Sequence, residues 1–367
     1  MTQQYQHYGW ELSLFSAKTR SYMRFKRIPH VEISPNAYQV MRELPRRVGV
    51  RVLPVVKTPE GEWLQDSSEI IDLLEAKFSD NGIIPTSPKQ RLIAYLVELW
   101  ADSFWLPSAM HYRWHSAENR QFFIREAGKN LLPYMPVLRT LVAKNIAASM
   151  QNHLPSLGVN PKSSQDIETW TNVQLDHLEK HFTLYNYLLG GRPCLGDFAL
   201  YGPLYAHLGR DPHSRRVLFE HRPALGRWLD RMRIPPNTSE NSSYLPRDEV
   251  PQTLEPILCS IFKEQLPFLM ATLESTLYRC IARPSSNALP RALEVRSHTY
   301  ATSRLDRRVS PFDLWKWQRL QKQCLLSFND ARTLEWLAKY DPESQLQAAL
   351  PIIHRAGLSV TVKRFES

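Results

Sequence analysis

Two short stretches of the 367-residue sequence carry side chains able to hold or activate a ligand. Asp66, Ser67, Ser68 and Glu69 place an acid, two hydroxyls and a second acid just ahead of the apolar series Ile70, Ile71, Leu73, Leu74 and Phe78. That order is a capping box, and the unpaired amides of a helix start add a site for an anion. Ser16 follows the apolar run Trp10 to Phe15 and precedes Tyr22, Met23 and Phe25, so its hydroxyl is expected to cap a helix reaching about Lys26. As a hydroxyl able to activate a ligand, Ser16 has Ser13 and Thr19 as its fallback candidates. Cys194, Cys259, Cys280 and Cys324 are widely spaced and form no CxxC, so adjacent cysteines make neither a zinc cage nor a dithiol motif, and reduced thiols are expected. His207 and His298 lack the spacing of a metal site or of a Ser/His/Asp arrangement. The aromatic series Trp100, Phe104, Trp105, His111, Tyr112 and Trp114 reads as packing between helices ahead of a hydrophobic pocket lining.

The elements that must position these residues follow from hydrophobic period and breakers. Trp10 to Phe15 reads as a strand, Ser16 to Lys26 as a helix and His30 to Ile33 as a second strand. A helical stretch from Pro35 and Asn36 is expected to end near Pro45, leaving Arg46 to Arg51 as a loop. Val52 to Lys57 and Glu62 to Gln65, joined by Thr58, Pro59, Glu60 and Gly61, signal a hairpin, after which Asp66 opens a helix. The order βαβ, hairpin, helix is the thioredoxin-like arrangement. From Pro88 the pattern is helical, with helices expected over Arg91 to Trp105, Leu131 to Met150, Asp166 to Leu189 and Arg222 to Met232, and with Pro107 ending or kinking the first of them. The polar, proline-rich stretch IPPNTSENSSYLPRDEVPQ reads as a linker. Beyond it, Leu254 to Ala282, Pro311 to Leu326 and Ala331 to Tyr340 read as helices, and Leu293 to Thr302 and Leu358 to Phe365 as strands.

Two segments carry a family resemblance. VLPVVKTPEGEWLQDSSEIIDLLE resembles the glutathione-binding half of glutathione transferases, and YLLGGRPCLGDFALYGPLYAHLGRDP resembles the start of the buried helix in their helical half. The resemblance implies an α/β thioredoxin-like domain over 1–86, an all-α domain of the transferase C-terminal type over 87–233, and a small α+β extension over 234–367 that the family pattern does not explain. It implies that glutathione is the cosubstrate. Leu53, ahead of a cis Pro54, would pair with its cysteinyl unit, and Asp66 and Ser67 would hold its γ-glutamyl end. Ser16, just after the first strand, would stabilise the thiolate for attack on a hydrophobic electrophile, while Phe15 lies near the place of the phenol in Tyr-using classes. A two-fold homodimer goes with the family. Cys194 stands where a Ser or Thr normally pairs with the residue matched by Asp197, which implies a weaker helix start. The alternative function is a non-catalytic binding or scaffold protein with the same fold.

Composition sets the outer bounds. Hydrophobic residues make up 43% and aromatic ones 11%, enough apolar surface for a folded chain of two or three domains. No signal peptide and no membrane span are expected, so a soluble, cytoplasmic protein is the reading. The net charge of +10 is diffuse: 11 basic against 10 acidic residues to position 86, 18 against 12 to position 233, and 17 against 14 thereafter. Even the densest patch, Arg304 to Arg308, contains Asp306 and reads as solvated surface, so neither nucleic acid nor membrane is an expected partner.

Overall fold

The structure, a computed structural model, describes residues 4–234, 242–283 and 286–363. Strand β1 (Tyr5–Tyr8) is followed by helix α1 (Leu14–Phe25), β2 (His30–Ile33), the short α2 (Leu44–Val48), β3 (Val55–Lys57), β4 (Trp63–Gln65) and α3 (Ser67–Lys77). β1 pairs in parallel with β2 and antiparallel with β3, and β3 pairs antiparallel with β4, giving the sheet order β2-β1-β3-β4 of a thioredoxin-like layer.

The first strand lies earlier than its apolar pattern suggests. Trp10 and Leu12 are not strand residues but turn residues packed with Trp114 and Phe123, which accounts for their apolar character. The strand itself, YQHY, carries a fully buried histidine whose Nε2 is 2.8 Å from the Thr19 hydroxyl, so polarity hid it. The helix therefore begins two residues earlier: Ser13, not Ser16, is its cap, accepting the Ser16 amide at 3.3 Å. Pro45 does not end the second helical stretch. A wide π-type turn over Gln39–Glu43 precedes it, with the Leu44 amide reaching back to Gln39, and the proline falls in the first turn of α2, where its missing donor is tolerated.

The second layer is helical: α4 (Pro88–Leu99), α5 (Leu106–His115), α6 (Ala117–Leu131), α7 (Pro136–Gln151), α8 (Ser164–Leu184), α9 (Leu195–Pro203), α10 (Pro212–Phe219) and α11 (Pro223–Arg233). Pro107 sits in the first turn of α5 and so bends the path instead of stopping it. α9 packs on α1 and α4 at the centre of one apolar core that runs through all parts of the chain. Its start is firmer than Cys194 implies. The buried Asp197 carboxylate accepts the amides of Cys194 at 2.9 Å and Leu188 at 3.1 Å and the Trp228 indole at 3.0 Å. Trp100, Phe104 and Trp105 are fully buried against Trp170 and Tyr300, which makes the aromatic series core.

The extension comprises α12 (Glu255–Ser260), α13 (Leu266–Ala282), β5 (Ala288–Leu289), β6 (Val295–Tyr300), β7 (Ser303–Arg308), α14 (Pro311–Gln323), α15 (Leu325–Phe328), α16 (Ala331–Leu337), β8 (Ile353–Ala356) and β9 (Ser359–Val362). β6 and β7 form a hairpin, and β5, β9 and β8 a small sheet. The expected linker lies outside the described residues over 235–241, as do positions 364 and 365 of the last expected strand. Arg304 to Arg308 lies in β7 with Arg304, Asp306 and Arg308 exposed as expected, but Arg307 turns inward, 3% exposed, with its guanidinium 4.6 Å from the Phe268 ring centroid. α14 packs against α4, α13, β8 and β9.

Candidate functional site

Where the α/β layer, the first helical turn of α1 and the extension meet, a cleft of about 310 Å3 is lined by Phe15, Val52, Leu53, Pro54, Gln65, Asp66, Ser67, Phe312, Lys316 and Leu358. Four residues singled out from the sequence, Leu53, Pro54, Asp66 and Ser67, thus come together here. The Leu53–Pro54 bond is cis. Ladder pairing of β3 begins at Val55, so the backbone of Leu53 stands outside it, at the cleft wall.

Asp66 is held in an unusual conformation. Its φ of 78° lies in the left-handed region, which a non-glycine residue adopts at a cost of order 1–3 kcal/mol unless its surroundings impose it. The helix start imposes it: one carboxylate oxygen accepts the Ser68 amide at 2.9 Å and the Glu69 amide at 3.2 Å. Asp66 is therefore the cap of α3, and Ser67 its first helical residue, with both lining the cleft.

Ser16 is not among the cleft's lining residues. Its side chain is 0% exposed, its hydroxyl has no hydrogen-bond partner among the described residues, and a Cβ placed on Gly9 would come within 2.8 Å of its oxygen. The physical reason is the earlier start of α1, which rotates residue 16 into the sheet and presents Phe15 to the cleft. Ser13 is committed to its cap and Thr19 to His7.

Behind the cleft lies a buried charge cluster that no local sequence pattern assembles. Lys18 donates to Glu98 at 2.7 Å, to Asp102 at 2.8 Å and to the Ser68 hydroxyl at 3.3 Å. Lys316, from α14, donates to the same Asp102 oxygen at 2.6 Å. Arg319, one turn on, pairs with Glu98 and, bidentately, with Asp72 of α3. Burial pushes the Lys18 ammonium down, but Asp102 and Glu98 more than offset this and hold its pKa above the usual lysine value. Burial pushes Glu98 up, and Arg319 and Lys18 more than offset it, leaving the carboxylate well below its ordinary range. Arg355 of β8 completes the seam, pairing with Glu69 and donating to the Gln65 carbonyl at 3.1 Å.

None of the described cysteines lines this cleft. Cys194 is buried in the helical layer with its pKa pushed up by burial and by Asp197, and burial pushes Cys324 up to about 12. A larger cleft, about 620 Å3, opens between α10 and α11, but two of its arginines, Arg216 and Arg222, are paired with Glu118 and Asp176, and none of the singled-out residues reaches it. Among the described residues no helix is long and apolar enough to cross a membrane, and no group of three or more His, Cys, Asp or Glu side chains is placed to hold a metal.

Comparison with known proteins agrees with this architecture. The family model described as Glutathione S-transferase, N-terminal domain, matches residues 8–82, and that described as Glutathione S-transferase, C-terminal domain, matches residues 147–235. No curated protein matches the sequence. Among solved structures, the β-etherase LigF from Sphingobium sp. strain SYK-6 is 18% identical, over 64% of this chain and 96% of its own, with a TM-score of 0.45. A glutathione S-transferase from Methylobacterium radiotolerans JCM 2831, in complex with glutathione sulfonate, is 19% identical over 66% and 96%, with a TM-score of 0.40. A glutathione transferase family member from Pseudomonas fluorescens Pf-5, with two glutathione bound, is 15% identical over 63% and 88%, with a TM-score of 0.40. Over residues 8–82 and 147–235 the chain is glutathione S-transferase-like, matching the N-terminal and C-terminal domains of that family.

Proposed function

We propose that the chain binds glutathione in the cleft between α3 and α14 and presents its thiol to a hydrophobic electrophile that enters beside Phe15 and Phe312. The observation that supports this most directly is the meeting of cis Leu53–Pro54 with Asp66 and Ser67 around one cavity of about 310 Å3. In this reading the backbone of Leu53, outside the ladder, pairs with the cysteinyl unit, and Asp66 takes the ligand's ammonium while Ser67 takes its carboxylate. Residues 1–86 and 87–233 act as the two transferase halves, and 234–367 as an added wall. A cytoplasmic location fits the ligand. Because that added wall lies on both α3 and α4, we favour a single chain as the working unit over the homodimer, and light scattering giving twice the chain mass at micromolar concentration would speak for the dimer.

Glutathione should stabilise the native state by about 2.7 kcal/mol at roughly 100 times its dissociation constant. Asp66→Ala should weaken this gain, and a thermal melt that glutathione does not move at any millimolar concentration would remove the reading.

A second reading, glutathione held without transfer, is favoured by the burial of Ser16, since no α1 hydroxyl reaches the cleft. Ser16→Ala separates the roles. A thiolate donor would cost at least about tenfold in conjugation of a model aryl halide on removal. A sealed, unpaired hydroxyl should cost nothing, and its removal should leave stability unchanged or raise it by up to about 1 kcal/mol. We expect the second result. A wild type that binds glutathione yet turns over none of several electrophiles would establish the non-catalytic reading.

A further inference from the structure

Lys316 joins the cleft from the far end of the chain. It sits one helical turn after Phe312 on α14, and both face the same cavity as Asp66 and Ser67. Its ammonium is flanked by the rings of Phe15 and Phe312, with centroids 5.3 Å and 5.9 Å away. Such faces attract a cation and restrict where it can move. Asp102 takes one of its three donors at 2.6 Å, from the side away from the cavity, where Lys18 already meets the same oxygen. Asp102 is therefore shared between two ammonium groups, and Lys316, 7% exposed at its side chain, is the one that borders open space. An ammonium fixed at a cavity wall, with donors to spare and low-dielectric rings on either side, selects an anionic group.

We propose that Lys316 holds an anionic group of the bound thiol ligand, so that the C-terminal extension supplies the positive half of the recognition and Asp66 the negative half. The inference rests on the glutathione reading and adds to it. It gives the ligand class as a thiol that carries, besides the zwitterionic amino-acid end held by Asp66 and Ser67, a further anionic group toward Lys316. A carboxylate and a thiolate share the chemistry Lys316 recognises, and the choice of probe separates them.

The test uses the full-length chain, calorimetric titration, and two probes, glutathione and S-methylglutathione. Lys316→Gln keeps a donor for Asp102 while removing the charge. On folded protein it should raise the dissociation constant of glutathione by tenfold or more. An equal loss for S-methylglutathione assigns the contact to a carboxylate; a loss confined to glutathione, with the bound thiol titrating at higher pH, assigns it to the thiolate. Both probes binding the variant within twofold of wild type would overturn the proposal while leaving the glutathione reading intact. A wild type that binds neither probe takes both down. Should the variant fail to fold, the wild type titrated with glutathione analogues, each carboxylate converted to an amide in turn and the thiol methylated, gives the same decision: one conversion should cost tenfold or more, and equal binding of all analogues would overturn Lys316.

Discussion

Lys18→Met is expected to destabilise the protein by about 3–5 kcal/mol, a large share of the stability of an ordinary domain. The Lys18 side chain is 1% exposed and bonds Glu98, Asp102 and Ser68 together. Methionine fills similar space, so little of the loss comes from packing. What is lost is one of three cations, Lys18, Lys316 and Arg319, that balance three carboxylates, Glu98, Asp102 and Asp72. Glu98 and Asp102 stay buried with one cationic partner each, Arg319 and Lys316, beside the Ser68 hydroxyl, and Asp102 Oδ1 already has no partner among the described residues. Urea denaturation of wild type and variant measures the difference. A loss below about 1 kcal/mol with the fold retained would mean that the cluster contributes specificity and not stability.

Acidification should be equally costly. Burial, with Arg20 adding to it, lowers His7 to about 3, burial lowers His181 to about 4, and burial with Arg307 lowers His298 to about 3. Each depressed histidine contributes stability that is present above the unfolded value near 6.5 and is lost as pH falls toward the folded value. Each should cost about 1.4 kcal/mol per pH unit across that window, so the three together cost about 4. Asp197 acts in the opposite sense. Burial raises it to about 6, so its contribution is complete below about 3.8 and is lost as pH rises through 6, which returns about 1.4 kcal/mol per unit on the way down. Taken together, these four groups give an expected fall of about 3 kcal/mol per unit between roughly pH 6 and 4. Denaturant midpoints at pH 7, 6 and 5 measure this slope, and His298→Asn should reduce it by about one proton. Net proton uptake on unfolding of less than one across that window would contradict the assignment of these histidines as buried and neutral.

How much of this was legible in the sequence follows from what sequence patterns report. The hairpin Val55 to Gln65 and the start of α3 were readable because turn residues and caps act over four or five positions. Pro54, Asp66 and Ser67 fall within one such local block, and so their meeting at one place was readable as well. The first strand was missed because its interior is polar and buried while the turn after it is apolar, the reverse of the usual pattern. That single displacement moved the cap from Ser16 to Ser13 and turned Ser16 away from the cleft. β7 was hidden in the same way, since an alternation of arginine with aspartate and leucine reads as solvent-facing until Phe268 is seen beneath Arg307. Phe312 and Lys316 carried the only available signal, a spacing of one helical turn, but nothing local tells a helix near residue 312 that it faces residue 66.

The clamp between the extension and the α/β layer also fixes the order in which the molecule can be completed. Arg319 and Asp72 are 247 positions apart, and Arg355 and Glu69 are 286. A ribosome delivers the N-terminal layers first, at about 5–20 residues per second. For many seconds of synthesis, then, Lys18 is the one cation of this cluster present with Glu98, Asp102 and Asp72, and the face of α3 and α4 that α14 covers stays open to water. Contacts of such long sequence separation form late and slowly. A nascent chain stopped before α14 would therefore hold three carboxylates against one ammonium at the centre of its fold, and would have half a cleft.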